Sequence, residues 1–318
     1  MTRVIGRSRA GKVTAFLVVA ILGVFVPHQA GAQGAPSLRT RVVLLGTGTP
    51  NADPERQGPA TAVVVDDRAY LVDAGTGIVR RAAQAARDLH IPALAPSRLE
   101  RVFITHLHSD HTLGLPDLLL TPWVLDRAPP LQVYGPPGIA RMMRLIGEAW
   151  SEDIAVRTDG LEPHDANPDG YQSRVHEVKP GLVYEDDLMK VYAVQVRHGS
   201  WKYAYAYRFE GPDRTVVISG DTAPTDAIVQ ACDGCDVLVH EVYSAERFKG
   251  RPPAWQRYHA AFHTSTVELA DLARRAHPGL LVLYHQLFWG TDDQGLVDEI
   301  RAAGYTGPLR SGRDLDVF

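Results

Sequence analysis

The stretch Thr105-His106-Leu107-His108-Ser109-Asp110-His111 decides how this chain reads. It continues a short β-rich run, Arg101–Thr105, so its first histidines stand at a strand end, where residues two apart project to the same side. His106 and His108 can therefore share one cation. Asp110 and His111 come where the chain turns toward a helix and can face a second. Imidazole and carboxylate are the ligands expected of catalytic zinc, which keeps a coordination position open for water. An Asp at a helix start is also a common cap, but that reading leaves the dense histidines unexplained.

Working outward, three later residues repeat one arrangement, a β-rich run followed by a polar residue where the loop begins. His198 follows Lys190–Val196, Asp221 follows Thr215–Ser219 in Ser219-Gly220-Asp221-Thr222, and His285 follows Leu280–Tyr284. Three such positions beside the dense run favour a convergent two-metal site. Helical spacing at Thr76–His90, Ile139–Trp150, Thr264–His277 and Asp293–Ala303 alternates with the strands in both halves. That alternation predicts an α/β fold with helices covering the outer faces of the sheets. Asp66-Asp67-Arg68 reads as a hairpin turn between strands Thr61–Val65 and Ala69–Val72. The Pro- and Asp-rich stretch Asp159–Gly170 reads as a linker or loop.

The first 32 residues differ from the rest. Arg3, Arg7, Arg9 and Lys12 precede an apolar run from Val13 to Val26, then Pro27 and the small-residue site Ala30-Gly31-Ala32. This is the pattern of a secretory signal peptide, too short for a typical membrane span; an uncleaved anchor is the alternative. The expected domains are a signal peptide, 1–32, and a hydrolase domain, 33–318. Location is then periplasmic or secreted, with no stable membrane span after cleavage. Without the leader the chain carries 29 basic residues against 37 acidic ones. A net charge of that sign gives no general attraction for nucleic acid, and no basic run stands out. Cys232-Asp233-Gly234-Cys235 can form a small disulfide loop, remain two buried thiols or act as a redox pair. As a zinc site it lacks a second ligand pair.

At this point the chain resembles the metallo-β-lactamase fold superfamily, in the branch of tRNase Z and the related periplasmic arylsulfatases. The motifs recur in order over nearly all of residues 33–318: Leu45-Gly46-Thr47-Gly48, Leu71-Val72-Asp73-Ala74-Gly75, the metal run, Val133-Tyr134-Gly135-Pro136, the segment from Val194 to Arg208, Ser219-Gly220-Asp221-Thr222, Val239-His240-Glu241, His263-Thr264-Ser265-Thr266 and Tyr284-His285. The resemblance implies a four-layer αββα sandwich holding two zinc ions, with manganese or iron as alternatives. It implies that His106, His108 and His198 hold one ion, that Asp110, His111 and His285 hold the other, and that Asp221 bridges them. Asp73 would orient ligands without binding metal. Asp110 would also accept a proton from the attacking water. His263, with Glu241 or His240 as partner, would protonate the leaving oxygen, or else it is only a neighbour of the helix cap that follows.

Two departures shape the expected function. The tRNA-processing members carry a long flexible arm between the third motif and the Gly-Asp-Thr motif, yet here 23 positions separate His198 from Asp221. The early motif that reads tRNA is altered to Asp53-Pro54-Glu55-Arg56-Gln57-Gly58. Arg56 is expected at the surface, with contact to an anion as the alternative. The expectation is therefore an exported two-zinc hydrolase that uses metal-activated water on a small-molecule ester, a sulfate ester or phosphodiester. A lactone or β-lactam is the alternative substrate. A tRNA 3′-processing endonuclease and a non-catalytic metal-binding protein rank lower. Nucleic acid is not expected as a partner, and a homodimer is left open. Trp201, Tyr203, Trp255, Tyr258, Phe262 and Trp289 are candidates for an aromatic pocket wall or for plain core packing.

Overall fold

The computed structural model describes residues 10–12, 14–15, 38–160, 167 and 169–318. Met1–Ser37 form one unit and Leu38–Phe318 another; the leader expectation falls almost wholly outside the described residues. No helix among the described residues is long and apolar enough to cross a membrane.

Strand alternation builds the architecture of the second unit. In β1 (Thr40–Gly46), β2 (Ala60–Val65) and β3 (Arg68–Val72), Val42, Leu44, Val63, Val65, Tyr70 and Val72 point to one side. Val43, Leu45, Ala62, Val64, Ala69 and Leu71 point to the other. Both sets are buried, so both faces of the sheet must be covered, as continuous apolar strands require. Helices α1 (Ile78–Asp88), α3 (Leu115–Val124) and α4 (Ile139–Ala149) cover the outer face. A four-residue α2 (Ser109–Thr112) precedes α3, and α5 (Ser151–Asp159) follows α4. This sheet is completed by β4 (Arg101–Phe103), β5 (Leu131–Gly135) and β6 (Ser173–Glu177), running parallel to β3.

The second sheet has seven strands in the order β13-β12-β11-β10-β9-β8-β7. These are β7 (Gly181–Glu185), β8 (Lys190–Gln195), β9 (Tyr205–Glu210), β10 (Thr215–Ile218), β11 (Val237–Tyr243), β12 (Leu280–Leu287) and β13 (Leu309–Ser311). Val216, Ile218, Val237 and Val239 join the residues of the first sheet in a core between the sheets. Val217, Leu238 and Leu281 face α6 (Asp226–Cys232), α9 (Thr266–Ala276) and α10 (Asp293–Ala302). The result is the expected αββα sandwich. The short α7 (Ala245–Phe248) and α8 (Pro253–Phe262) rise after β11. Cys232 and Cys235 are joined by a disulfide just beyond α6.

Candidate metal centre

The candidate site lies where β3, β4, β8 and β10 end and where β11 and β12 pass close by. Asp73 follows β3, His106 and His108 follow β4, and Asp110 and His111 lie in α2. His198 follows β8, and Asp221 follows β10. Gly220 precedes Asp221 at φ 58°, and a Cβ there would lie 2.8 Å from the Thr105 side chain. Only glycine combines that backbone with that approach. His285 arrives by a β-bulge. Tyr284 pairs with Glu241 and Gln286 with Val242, leaving His285 as the extra residue at φ 45°.

Two ligand sets form. His106, His108, His198 and Asp221 bring ligand atoms within 4.8 Å of one another, as do Asp110, His111 and His285. A third set, Asp221, His263 and His285, overlaps the second. Asp221 Oδ2 sits 3.4 Å from His111 Nε2, 3.4 Å from His285 Nε2 and 3.9 Å from His106 Nε2. Its carboxylate therefore stands between the two sets, and it is 2% exposed. Buried His111 Nε2 and Asp221 Oδ1 have no hydrogen-bond partner. Unpaired buried ligand atoms are costly, and a pair of divalent cations would satisfy them. The donor set thus fits two ions.

Second contacts fix which nitrogen each imidazole presents. His111 Nδ1–H donates to Asp73 Oδ2 at 2.8 Å, and His198 Nδ1–H donates to the Phe262 carbonyl at 2.8 Å. His106 Nδ1 lies 3.0 Å from Thr105 Oγ1, whose hydroxyl reaches Asp73. Each of these three rings keeps Nε2 for the cluster. His108 presents Nδ1, which is 3.0 Å from His106 Nε2, while Trp201 donates to its Nε2 at 2.7 Å. Asp73 is at φ 61°, belongs to neither ligand set, and bonds to His111 and Thr105 from behind the cluster.

The electrostatics suit cations. Burial opposes charge on His111, yet Asp221, Asp73 and Asp110 outweigh it and hold its pKa well above the imidazole range. Burial pushes His198 down to about 3 and His106 well below its ordinary value, so these rings are neutral ligands at neutral pH. Burial, reinforced by the Asp221 charge, pushes Glu241 well above the carboxylate range. Glu241 Oε2 lies 3.4 Å from His263 Nδ1, and Oε1 accepts from the Thr264 amide at 2.8 Å. Burial drives His263 to about 4.

Some expected residues are elsewhere. His240 is fully buried, and its Nδ1 donates to the Glu241 carbonyl at 2.7 Å. No described contact joins it to His263, so of the two expected partners only Glu241 reaches that ring. Arg56 is neither free at the surface nor available to an anion. It is held by both Asp293 oxygens and by Thr47 Oγ1, Gln286 Oε1 and the Gly312 carbonyl. Tyr203 packs on the inter-sheet core. The other five aromatics gather at the site. Trp201 meets the His108 ring, and Phe262 meets His198. Trp255, Tyr258 and Trp289 line a cavity of about 440 Å³ shared with Asp110, Asp221 and His263.

A buried His and Asp cluster at the strand ends of an αββα sandwich defines a metal-dependent hydrolase of the metallo-β-lactamase fold, with a binuclear site. The chain belongs to the β-lactamase superfamily, whose family description, "Beta-lactamase superfamily domain", matches residues 68–286. Ribonuclease Z of Mycobacterium bovis (strain BCG / Pasteur 1173P2) is 32% identical over 278 residues, covering 86% of this chain and 96% of that one. Ribonuclease Z of Mycobacterium sp. (strain KMS) is 36% identical over 249 residues, covering 77% and 84%. Human tRNase Z, short form, shares the fold at a TM-score of 0.64 and 21% identity, covering 87% of this chain and 98% of that one.

These relatives overturn the expectation of an exported hydrolase of small esters and the expectation that nucleic acid is no partner. Both had rested on the missing arm, the altered early motif, the leader and the acidic charge. An alignment of 278 residues spanning 96% of the M. bovis protein leaves it no long segment that this chain lacks. A short span between His198 and Asp221 therefore does not separate this chain from proteins of that name. The charge argument summed over the whole chain. Locally, Ala245–Arg257 carries Arg247, Lys249, Arg251 and Arg257 against the single acid Glu246, and Arg251 and Trp255 line the metal cavity.

Proposed function

We propose that this protein is a two-zinc phosphodiesterase acting on RNA, as the Ribonuclease Z name of its relatives suggests, with precursor tRNA as the substrate class that the tRNase Z resemblance implies. The 32% identity to a Ribonuclease Z over nearly that protein's whole length carries the reading. Histidine and carboxylate ligands without thiolates suit zinc, with manganese or iron as alternatives. The ions, when bound, activate water and neutralise charge at an in-line phosphoryl displacement.

The protein's own residues supply positioning and proton transfer. His106, His108 and His198 hold one cation, Asp110, His111 and His285 the other, and Asp221 lies between them. The Asp110 carboxylate Oδ2, 3.3 Å from His285 Nε2, accepts a proton from the attacking water. Burial and the Asp221 charge favour the protonated Glu241 carboxyl, and burial favours the neutral His263 ring. The Glu241 proton passes to His263 Nδ1 as the Nε2 proton passes to the leaving ribose oxygen. His263 is nearly fully buried and shares the cavity with Asp110, so donor and acceptor face one substrate position.

The test is cleavage of a 3′-extended precursor tRNA by protein loaded with zinc. Expected is a single endonucleolytic product, lost on chelation and restored by added metal. Metal-loaded protein that leaves the RNA intact overturns the reading.

A further inference from the structure

One wall of the cavity over the metal centre is not used by the chemistry above. It is formed by α8, the loop before it and the loop after β12. Trp289 stands in the left-handed region at φ 47°, an outlier for a bulky residue. Strain of that kind persists where the surroundings enforce it, and it clusters at ligand sites. Its ring lies 4.6 Å from the His259 ring, and the Arg251 guanidinium sits over its face at 5.0 Å. Trp255 stacks on the other partner of this group, His259, with ring centres 5.7 Å apart and planes 25° apart. Yet Trp255 remains 50% exposed. A half-exposed indole supported from behind by an imidazole is a ready platform for another planar ring.

Arg251 supplies the second observation. Most arginines of this fold are tied down: Arg56 by Asp293, Arg68 by Asp186 and Asp187, Arg275 by Asp226 and Asp271. Among the described residues the Arg251 guanidinium has neither a carboxylate nor a carbonyl, and its buried Nε has no hydrogen-bond partner. It nevertheless lines the same cavity as Asp110, Asp221 and His285. An unpaired cation beside an aromatic platform, in reach of a metal centre, fits a ligand with a planar ring and an anionic group.

We infer that Trp255, His259, Trp289 and Arg251 form a nucleotide subsite, in which the base next to the scissile phosphate stacks on Trp255 and Arg251 holds the neighbouring phosphate. The assignment of the planar group as a nucleobase rests on the RNA reading above. Base-on-aromatic stacking tolerates any base, so the subsite places the strand over the metals without reading its sequence.

The experiment measures binding apart from cleavage. Zinc-loaded protein is titrated with AMP and with ribose 5-phosphate by calorimetry; both carry the phosphate, and only AMP carries the base. Wild type is expected to prefer AMP, and Trp255→Ala to weaken AMP on the order of 10-fold, leaving ribose 5-phosphate unchanged. Arg251→Met is expected to weaken both ligands. In precursor tRNA cleavage, Trp255→Ala should raise KM with little change in kcat. Equal binding of the two ligands by wild type, or AMP binding that survives Trp255→Ala, overturns the subsite even when the RNA is cleaved. Trp255-dependent AMP binding in a protein that leaves RNA intact upholds the subsite and refutes the substrate instead.

Discussion

Asp73→Asn tests the orientation of the metal ligands at a residue that need not touch an ion. Asp73 Oδ1 accepts the Thr105 amide at 2.8 Å, Oδ2 accepts His111 Nδ1–H at 2.8 Å, and the Thr105 hydroxyl lies 3.0 Å from both. Asparagine has the same shape but only one acceptor oxygen. The Thr105 amide can only donate, so the oxygen of the new amide must face it. The amide NH₂ then faces His111 Nδ1, which can no longer keep its proton. The proton shifts to Nε2, the atom that faces Asp110 and Asp221 and is needed for metal. Loss of such an orienting contact costs 10- to 100-fold in metal affinity, about 1.4 to 2.7 kcal/mol.

The assay is competition against a chelator of known zinc affinity, with stoichiometry from elemental analysis and folding checked by circular dichroism. Nitrogen-15 spectra of the imidazoles separate the two His111 tautomers directly. A folded Asp73→Asn protein that keeps both ions with wild-type affinity, or whose His111 remains protonated on Nδ1, refutes the reasoning.

Four further outcomes are expected, three from the geometry and one from the leader pattern. Glu241→Gln keeps an oxygen for the Thr264 amide but cannot relay a proton to His263, so kcat on precursor tRNA should fall about 10²- to 10⁴-fold; a bis-aryl phosphate ester, whose leaving group needs no proton, should be far less affected, and equal losses would exclude the relay. Burial pushes His240 down to about 4 despite the Glu241 carbonyl and the Asp221 charge, so the native ring stays neutral while the unfolded one takes up a proton below pH 6.5. Stability from this group is therefore lost as pH falls from 6.5 toward 4, about 2 kcal/mol between pH 7 and pH 5; urea unfolding of His240→Asn at those two pH values should show that much less loss than wild type. Replacing Arg247, Lys249 and Arg257 by glutamine should flatten the salt dependence of RNA binding, by about 2 in the log–log slope; an unchanged slope would place the RNA elsewhere. If Met1–Ala32 is a leader that directs export, the protein recovered from its host begins at Gln33 in mass spectra, and an intact N-terminus rejects that.

Much of the fold was legible because strands and helices announce themselves by period. The helix expected over Thr76–His90 is α1 at Ile78–Asp88, and the hairpin at Asp66-Asp67-Arg68 joins β2 to β3. Helices α5 and α7 were missed, and so were three further elements whose physical reasons are plain. Strand β7 (Gly181–Glu185) is an edge strand whose side chains are largely exposed, so no buried face patterns it. Helix α8 has a single buried residue, His259, and starts at two prolines that read as a break. Strand β13 is only three residues long. In the site, the candidate ligands His106, His108, His198, Asp221 and His285 were legible as polar groups after or late in strands, and Asp110 and His111 as part of the dense run. The His285 bulge was not, because a left-handed histidine leaves no mark in sequence. Nor could sequence choose between His240 and Glu241, since adjacent residues of a strand point to opposite faces and the register decides which face meets His263.

The substrate was misjudged for a related reason: a total was used where a local quantity governs. Screening limits exposed charges to a reach of about 8 Å at physiological ionic strength. Acidic side chains farther than that from the metals count fully in the total and little in the field at the site. The segment Ala245–Arg257 hides its excess of basic residues by interleaving them with Phe248, Gly250, two prolines and Trp255, so no run appears. Its Arg251 and Trp255 nevertheless reach the edge of the metal cavity. Two metal ions would add four positive charges beneath the same opening. A polyanion approaching this face meets the cations first, whatever the sign of the whole.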